Sequence, residues 1–332
     1  MRSRRNFIAL LGGAAALAVT WPPALRAQPQ PKMPVVGYLS GFSSTVFPPL
    51  LAAFRAGLAA EGYVENRNVV IEYRWADGQY GRLPSLAADL VRQQVAVIAA
   101  TGVTASGVAA KGATTSIPIV FATGGDPVNL GLVTSLNRPT GNLTGVSWLS
   151  NTMAPKRLEL LRELVPHAKT IGFLINPENP VVTTEAADVQ AAADALGLRV
   201  YTAKASTADE IDIAFADIVQ AGVDALFIGG DPFFATRRVQ LTILAARHGL
   251  PLCSDSRSNV EAGGLMSYGA NTVEMYREVN HYTGRILKGE KPVDLPVQQL
   301  TKFELVLNLR TAKTLGLEIP PKLLALADEV IE

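Results

Sequence analysis

VAVIAATGVTASGVAAKGATTSIPIVF, residues 95–121, holds one strand–helix–strand unit and decides the fold class. Val95 to Ala100 is a short apolar run of strand length, and Ile117 to Phe121 is another. Between them Thr104 to Gly112 reads as a short helix, opened by a hydroxyl-rich turn at Thr101-Gly102-Val103-Thr104. Strands this uniformly apolar are buried on both faces, which implies a parallel sheet covered by helices.

The same alternation extends outward in both directions. Upstream lie strand Val35 to Leu39, helix Pro48 to Glu61 ending at Gly62, strand Val69 to Tyr73 and helix Leu83 to Gln93. Downstream, Asn137-Arg138-Pro139-Thr140-Gly141-Asn142 is a turn-rich pause, and Leu143 to Trp148 reads as a strand leading out of a first lobe. The alternation then restarts: helix Met153 to Val165, strand Thr170 to Ile175, helix Thr183 to Leu196, strand Arg199 to Ala203, helix Ala208 to Ala221, strand Ala225 to Ile228. Helix Thr236 to His248, strand Leu250 to Ser254 and strand Gly264 to Tyr268 complete it. Helix Val273 to Leu287 leads to Pro292–Leu300 and to a tail ending in Leu323 to Ile331. Two such runs predict an α/β protein of two doubly wound, Rossmann-like lobes joined by a hinge. The expected division is 33–147 plus about 270–302 for one lobe, and 148–269 plus about 303–332 for the other.

Residues 1–27 read as an export signal. Arg2, Arg4 and Arg5 form a basic start, Ile8 to Thr20 is apolar and uncharged, and Ala27 offers a small residue before a cut. Ser3-Arg4-Arg5-Asn6-Phe7-Ile8 is similar to a twin-arginine signal. No Cys follows the apolar run, so a free periplasmic protein without a lipid anchor is expected. The chain carries 30 Lys+Arg and 29 Asp+Glu, and removing Arg2, Arg4, Arg5 and Arg26 leaves 26 against 29, net −3. Without a basic stripe, nucleic acid is a poor partner. Cys253, the one cysteine, allows no internal disulfide. The three histidines, His167, His248 and His281, are far apart in sequence, and no metal-ligand spacing is present. No metal or cofactor is expected.

In an open parallel sheet, ligands sit beyond the carboxyl ends of the strands. Those ends carry the candidate residues: Ser40, Phe42 and Ser43 after the first strand, Thr101 and Thr104 after the third, Thr123 and Asp126 after the fourth. In the second lobe they are Asn176 and Asn179, Asp231 and Phe233, Asp255, and Tyr268. Gly124-Gly125-Asp126-Pro127 and Gly229-Gly230-Asp231-Pro232 repeat one turn, once per lobe. Asp-Pro also starts a helix well with no ligand present, so each copy has a plainer role as a cap. If the lobes face one another, the Ser and Thr hydroxyls would hold a carboxylate. One of Asp126, Asp231 or Asp255 would meet an ammonium, and Phe42, Phe233 or Tyr268 would pack an apolar group. The nucleophile elbow, the dinucleotide fingerprint and the Gly-Lys-Ser/Thr phosphate loop are all missing. A binding protein rather than an enzyme is expected. An exported enzyme with cleft carboxylates, or a ligand-sensing subunit of a membrane receptor, are the alternatives.

Several motifs carry a resemblance. Met33-Pro34-Val35-Val36-Gly37-Tyr38-Leu39, Phe54-Arg55-Ala56-Gly57-Leu58 and Gly62-Tyr63-Val64-Glu65 before Ile71-Glu72-Tyr73-Arg74 are four such stretches. Asn142-Leu143-Thr144-Gly145-Val146, Gly263-Gly264-Leu265-Met266-Ser267-Tyr268-Gly269 and Phe303-Glu304-Leu305-Val306-Leu307-Asn308 complete the set. Together they resemble the ABC-transporter substrate-binding proteins of the tryptophan/tyrosine-uptake type, over essentially the whole chain after the signal. The resemblance implies a type I periplasmic-binding-protein fold with three crossings between lobes. It also implies a small-molecule ligand, an amino acid or related carboxylate and aromatic in some relatives, delivered to an inner-membrane ABC permease. A monomer is the expected state.

Overall fold

The computed structural model describes residues 33–44, 48–149 and 151–332; the export signal read at residues 1–27 lies outside them. Residues 33–332 form one compact unit built on two sheets.

The first sheet starts with β1 (Val35–Ser40), α1 (Pro48–Ala60), β2 (Val70–Trp75), α2 (Leu83–Arg92), β3 (Val97–Thr101), α3 (Thr104–Ala113), β4 (Ile119–Thr123) and β5 (Leu143–Ser147). Helix α1 begins on Pro48-Pro49, which fit a first turn that lacks amide partners. It stops at Gly62, whose φ of 89° lets Gly62 N–H reach the Ala59 carbonyl and Tyr63 N–H the Leu58 carbonyl. Every residue of β3 and β4 is buried, as strands covered on both faces require. Each fully buried Val, Ile or Phe contributes about 1.5–3 kcal/mol.

The second sheet follows with α4 (Ala154–Leu164), β6 (Thr170–Ile175), α5 (Val182–Ala195), β7 (Arg199–Lys204), α6 (Ala208–Gln220) and β8 (Ala225–Ile228). Then come α7 (Pro232–Thr236), α8 (Arg238–Arg247), β9 (Leu252–Ser254), α9 (Arg257–Glu261) and β10 (Met266–Ala270). The helix expected over Thr236–His248 is α8, and a short helix that was not expected, α7, precedes it. Asp231 caps a separate short helix, and at Arg237 (φ −101°, ψ 13°) the backbone leaves helical geometry before α8 begins.

The chain then weaves between the sheets. Helix α10 (Thr272–Leu287) packs on α1 and against β3, β4 and β5, and β11 (Gln298–Gln299) pairs with β5. β12 (Phe303–Asn308) returns to pair antiparallel with β10. After α11 (Leu309–Thr314) and α12 (Pro321–Leu326), β13 (Glu329–Ile331) pairs with β12. The strand orders are β11-β5-β4-β3-β1-β2, parallel throughout, and β13-β12-β10-β9-β8-β6-β7. Among the described residues, three connections pass from one sheet to the other: β5 to α4, β10 to α10, and β11 to β12.

The two sheets reuse one packing device. Gly37 is the third residue of β1 and Gly172 the third of β6. A Cβ on Gly37 would stand 3.0 Å from Leu90 of α2, and one on Gly172 would stand 3.1 Å from Ile218 of α6. Each glycine therefore lets the covering helix lie close on its sheet.

Candidate functional site

Strand order reverses between β1 and β3 in the first sheet and between β6 and β8 in the second. At such points neighbouring loops leave in opposite directions and open a crevice at the carboxyl ends. Four loops matter: those following β1 and β3, and those following β6 and β8.

In the first lobe the Ser40 hydroxyl accepts the Phe42 amide at 3.2 Å. The turn after β2 is tied to this loop by three backbone bonds, Ala76 N–H to Ser40 O, Asp77 N–H to Phe42 O and Gly78 N–H to Gly41 O. Asp77 (φ 56°) and Gly78 (φ 79°) both take left-handed backbone there. The chain turns sharply as a result and delivers Tyr80 toward the second lobe.

In the second lobe Asn176 Oδ1 accepts the Glu178 amide, and Asn179 Oδ1 accepts the Val181 amide. Asn179 Nδ2 donates to Gly230 O at 3.2 Å, which joins the β6 and β8 loops. The Gly230 amide donates to Glu185 at 2.9 and 3.1 Å, and Glu185 pairs with Arg157 at 3.2 Å. The Arg157 guanidinium lies over the Phe227 ring. A buried ion pair thus backs the loop that carries Asp231.

Asp231 is 4% exposed. Its Oδ1 accepts the Phe233 amide at 2.7 Å and, across the cleft, the Tyr80 hydroxyl at 2.8 Å. Its Oδ2 is buried with no hydrogen-bond partner among the described residues. Burial raises this carboxyl to a pKa of about 6, and the Asp255 charge adds to the rise. The Tyr80 hydroxyl, the Phe233 amide and the neighbouring Asn176 side chain all favour the charged form and hold the rise back. Burial, with the Asp231 charge beside it, also pushes Tyr80 well above an ordinary phenol.

A cavity of about 670 Å³ opens beside this contact. Its lining mixes apolar side chains, Phe42, Leu50, Trp148, Met275 and Tyr276 among them, with polar and charged ones that include Asp255, Ser256, Asn271, Lys302 and Glu304. Arg257 also lines it, but its guanidinium is held by Glu261 at 2.7 Å and by Glu329 at 2.6 Å. The arrangement offers acidic groups and aromatic side chains, the pairing that suits an ammonium with an apolar body.

The residues singled out from sequence divide by what they touch. Phe42 and Asp255 line the cavity, and Asp231 sits between the lining residues Gly230 and Pro232. Ser40, Thr101, Asn176 and Asn179 are buried at the strand ends. Thr104 and Thr123 share a hydrogen bond of 3.0 Å, and Thr123 also accepts the Gly125 amide. Asp126 accepts the Val128 and Asn129 amides, but the segment it caps is a turn and not the helix start expected there. Ser43 is half-buried next to residues outside those described. Phe233 packs on Phe234 under the Arg237 guanidinium. Tyr268 lies against Phe303 at the edge of the second core, away from the cavity lining. Sequence reading passed over Tyr80, Trp148 and Tyr276. The one available signal was an aromatic residue at a crossing, Trp148.

A family model described as "ABC transporter substrate binding protein" matches residues 50–331. A tyrosine-binding protein of Clostridioides difficile (strain R20291) is 28% identical over 283 residues, covering 84% of this chain and 81% of that one. A conserved domain protein from Vibrio cholerae matches with a TM-score of 0.82 at 28% identity, over 90% of this chain and 100% of that one. An ABC domain from Streptococcus pneumonia, solved in complex with L-Trp, matches with a TM-score of 0.81 at 27% identity and the same coverage. The two sheets, their three crossings and these structural matches make the fold that of a type I periplasmic binding protein. Matched by that model over most of its length, the chain belongs to the ABC transporter substrate binding proteins.

Proposed function

We propose that this chain is the exported receptor of an ABC importer and that it captures an amino acid with an aromatic or other large apolar side chain. The observation that carries this reading is one cavity that joins aromatic lining residues, Phe42, Trp148 and Tyr276, to the lining carboxylates Asp255 and Glu304, with the buried Asp231 carboxyl just behind Gly230 and Pro232. Negative charge at and beside the cavity favours an ammonium, and the ammonium's charge in turn favours the ionised Asp231 carboxyl. Phe42, Leu50, Trp148 and Tyr276 then receive the apolar body. The tyrosine and L-Trp named with two of the matched relatives belong to the same chemical class.

In this reading the lobes, 33–147 plus 270–302 and 148–269 plus 303–332, close on the ligand by bending at the three crossings. Closure gives a permease one rigid shape to recognise. The chain works in the periplasm as a monomer after its signal is removed. It captures and releases without chemistry, and it needs neither metal nor cofactor.

The test is a thermal-shift screen followed by calorimetry with L-Tyr, L-Trp, L-Phe, L-Leu and tyramine. A ligand at about one hundred times its Kd adds about 2.7 kcal/mol of stability, a readily seen effect. Tyramine keeps ring and ammonium, so its affinity relative to L-Tyr isolates the contribution of the carboxylate. Binding by none of the five, or binding unchanged in Asp231→Asn, refutes the assignment.

A further inference from the structure

We propose that Tyr80 is the closure residue of this receptor: its hydroxyl holds Oδ1 of Asp231 across the cleft, so the joining of the lobes depends on a carboxylate that sits beside the ligand cavity and answers to the ligand's charge. The ligand half of this statement rests on the function proposed above; the lobe-joining half does not.

The geometry has three parts. Tyr80 belongs to the first lobe and Asp231 to the second, 151 residues apart, and their oxygens meet at 2.8 Å with both side chains buried. Neither partner is free to wander. The Tyr80 turn is bonded to the Gly41-Phe42 loop, and the Asp231 loop is bonded to Glu185 and Asn179. The meeting point is therefore set by how the lobes sit, and it is lost when they part. Finally, the carboxylate is divided: Oδ1 takes the opposite lobe and the Phe233 amide, and Oδ2 takes nothing among the described residues. An ammonium in the cavity beside Gly230 and Pro232 would favour the ionised carboxyl by its charge, and an ionised acceptor bonds the Tyr80 hydroxyl more strongly than a protonated one. Ligand and closure then reinforce each other through one group, the reciprocity that linkage requires.

Charged and titratable groups face this contact from neighbouring elements among the described residues. Asp255 faces Asp231 from the β9 end, Glu178 faces the Tyr80 hydroxyl from the β6 loop, and the Asn176 side chain and Phe233 amide also bear on the carboxyl. Removing the Tyr80 hydroxyl takes away a group that favours the ionised carboxyl, so Asp231 would protonate at higher pH.

The experiment compares wild type, Tyr80→Phe, Asp231→Asn and the double variant, each checked for folding by circular dichroism. Tyr80→Phe keeps the ring and its packing. Small-angle scattering of the ligand-free proteins should show a larger radius of gyration for Tyr80→Phe than for wild type, with the double variant no more open than either single one. Affinity for L-Tyr or L-Trp should fall roughly tenfold or more in Tyr80→Phe, and on acidification it should begin to weaken at higher pH than in wild type. If neither amino acid binds but Tyr80→Phe still opens the lobes, the closure contact stands and the ligand assignment falls. Tyr80→Phe matching wild type in radius of gyration, affinity and pH profile overturns the proposal. So does an affinity lowered by one factor at every pH with an unchanged radius, the mark of lost packing alone.

Discussion

The Arg157 guanidinium and the Glu185 carboxylate meet at 3.2 Å with side-chain exposures of 0% and 2%. That carboxylate also accepts the Gly230 amide, one residue before Asp231. A core ion pair therefore fixes the loop on which Asp231 is mounted, beside the cavity. Glu185→Ala leaves a buried guanidinium facing a cavity, and we expect it to lower unfolding free energy by about 3–5 kcal/mol. Replacing both charges together, Arg157→Met with Glu185→Leu, should lose much less. Urea denaturation of the three proteins checks the order, and a double variant worse than Glu185→Ala would contradict it.

Asp231 makes the stability of the ligand-free protein depend on pH in an unusual direction. Its carboxyl is raised from 3.8 to about 6 in the folded chain. A raised carboxyl contributes stability that is fully present below the unfolded value. That contribution is lost as pH climbs through about 6. The stability of wild type relative to Asp231→Asn should therefore fall by about 3 kcal/mol between about pH 3.5 and 7, because each tenfold change in proton affinity is worth about 1.4 kcal/mol. A flat difference across that window would mean that the carboxyl is not held in the dry setting described here.

Cys253 lies on β9 with no exposed surface, and burial pushes its thiol up to about 12. A thiol so far from its thiolate, and without access, does not react. Ellman's reagent should leave the native protein unlabelled at about pH 8, where an exposed thiol is partly ionised, and label one thiol per chain in denaturant. Prompt labelling of native protein would contradict this burial.

Helices α1 and α10 touch through a glycine. A Cβ on Gly57 would stand 2.5 Å from Asn280 Cβ and 3.2 Å from the Arg277 carbonyl. Gly57→Ala normally aids a helix, but here the helices must part, and we expect a loss of about 1–3 kcal/mol. The melting temperature decides the sign.

Much of the frame was legible because buried parallel strands and amphipathic helices have distinct periods. The bounds read for β6 and β8 are those observed. The short helix Pro232–Thr236 was not legible, since a single turn opened by the Asp231 cap is too brief to show a helical period. Site residues at strand ends could be named from topology, yet their uses could not. Asp126 and Asp231 stand in identical Gly-Gly-Asp-Pro turns; one caps its own turn, and the other reaches across the cleft. Tyr80, Trp148 and Tyr276 come from a turn, a crossing and a helix whose relation to the cavity depends on how distant segments assemble. No local pattern encodes that.

The three crossings have a consequence for how the chain can be taken apart. Residues 33–147, expressed alone, would lack α10, the helix that rests on α1 and covers β3 to β5. Residues 148–269 alone would lack β12 and leave β10 an open edge, inviting strand pairing between copies. A protease cut in any one crossing would still leave two covalent tethers, so a nicked molecule should keep its cleft. The two sheets are each assembled from separated stretches of chain, so contiguous gene fragments do not encode independent folding units.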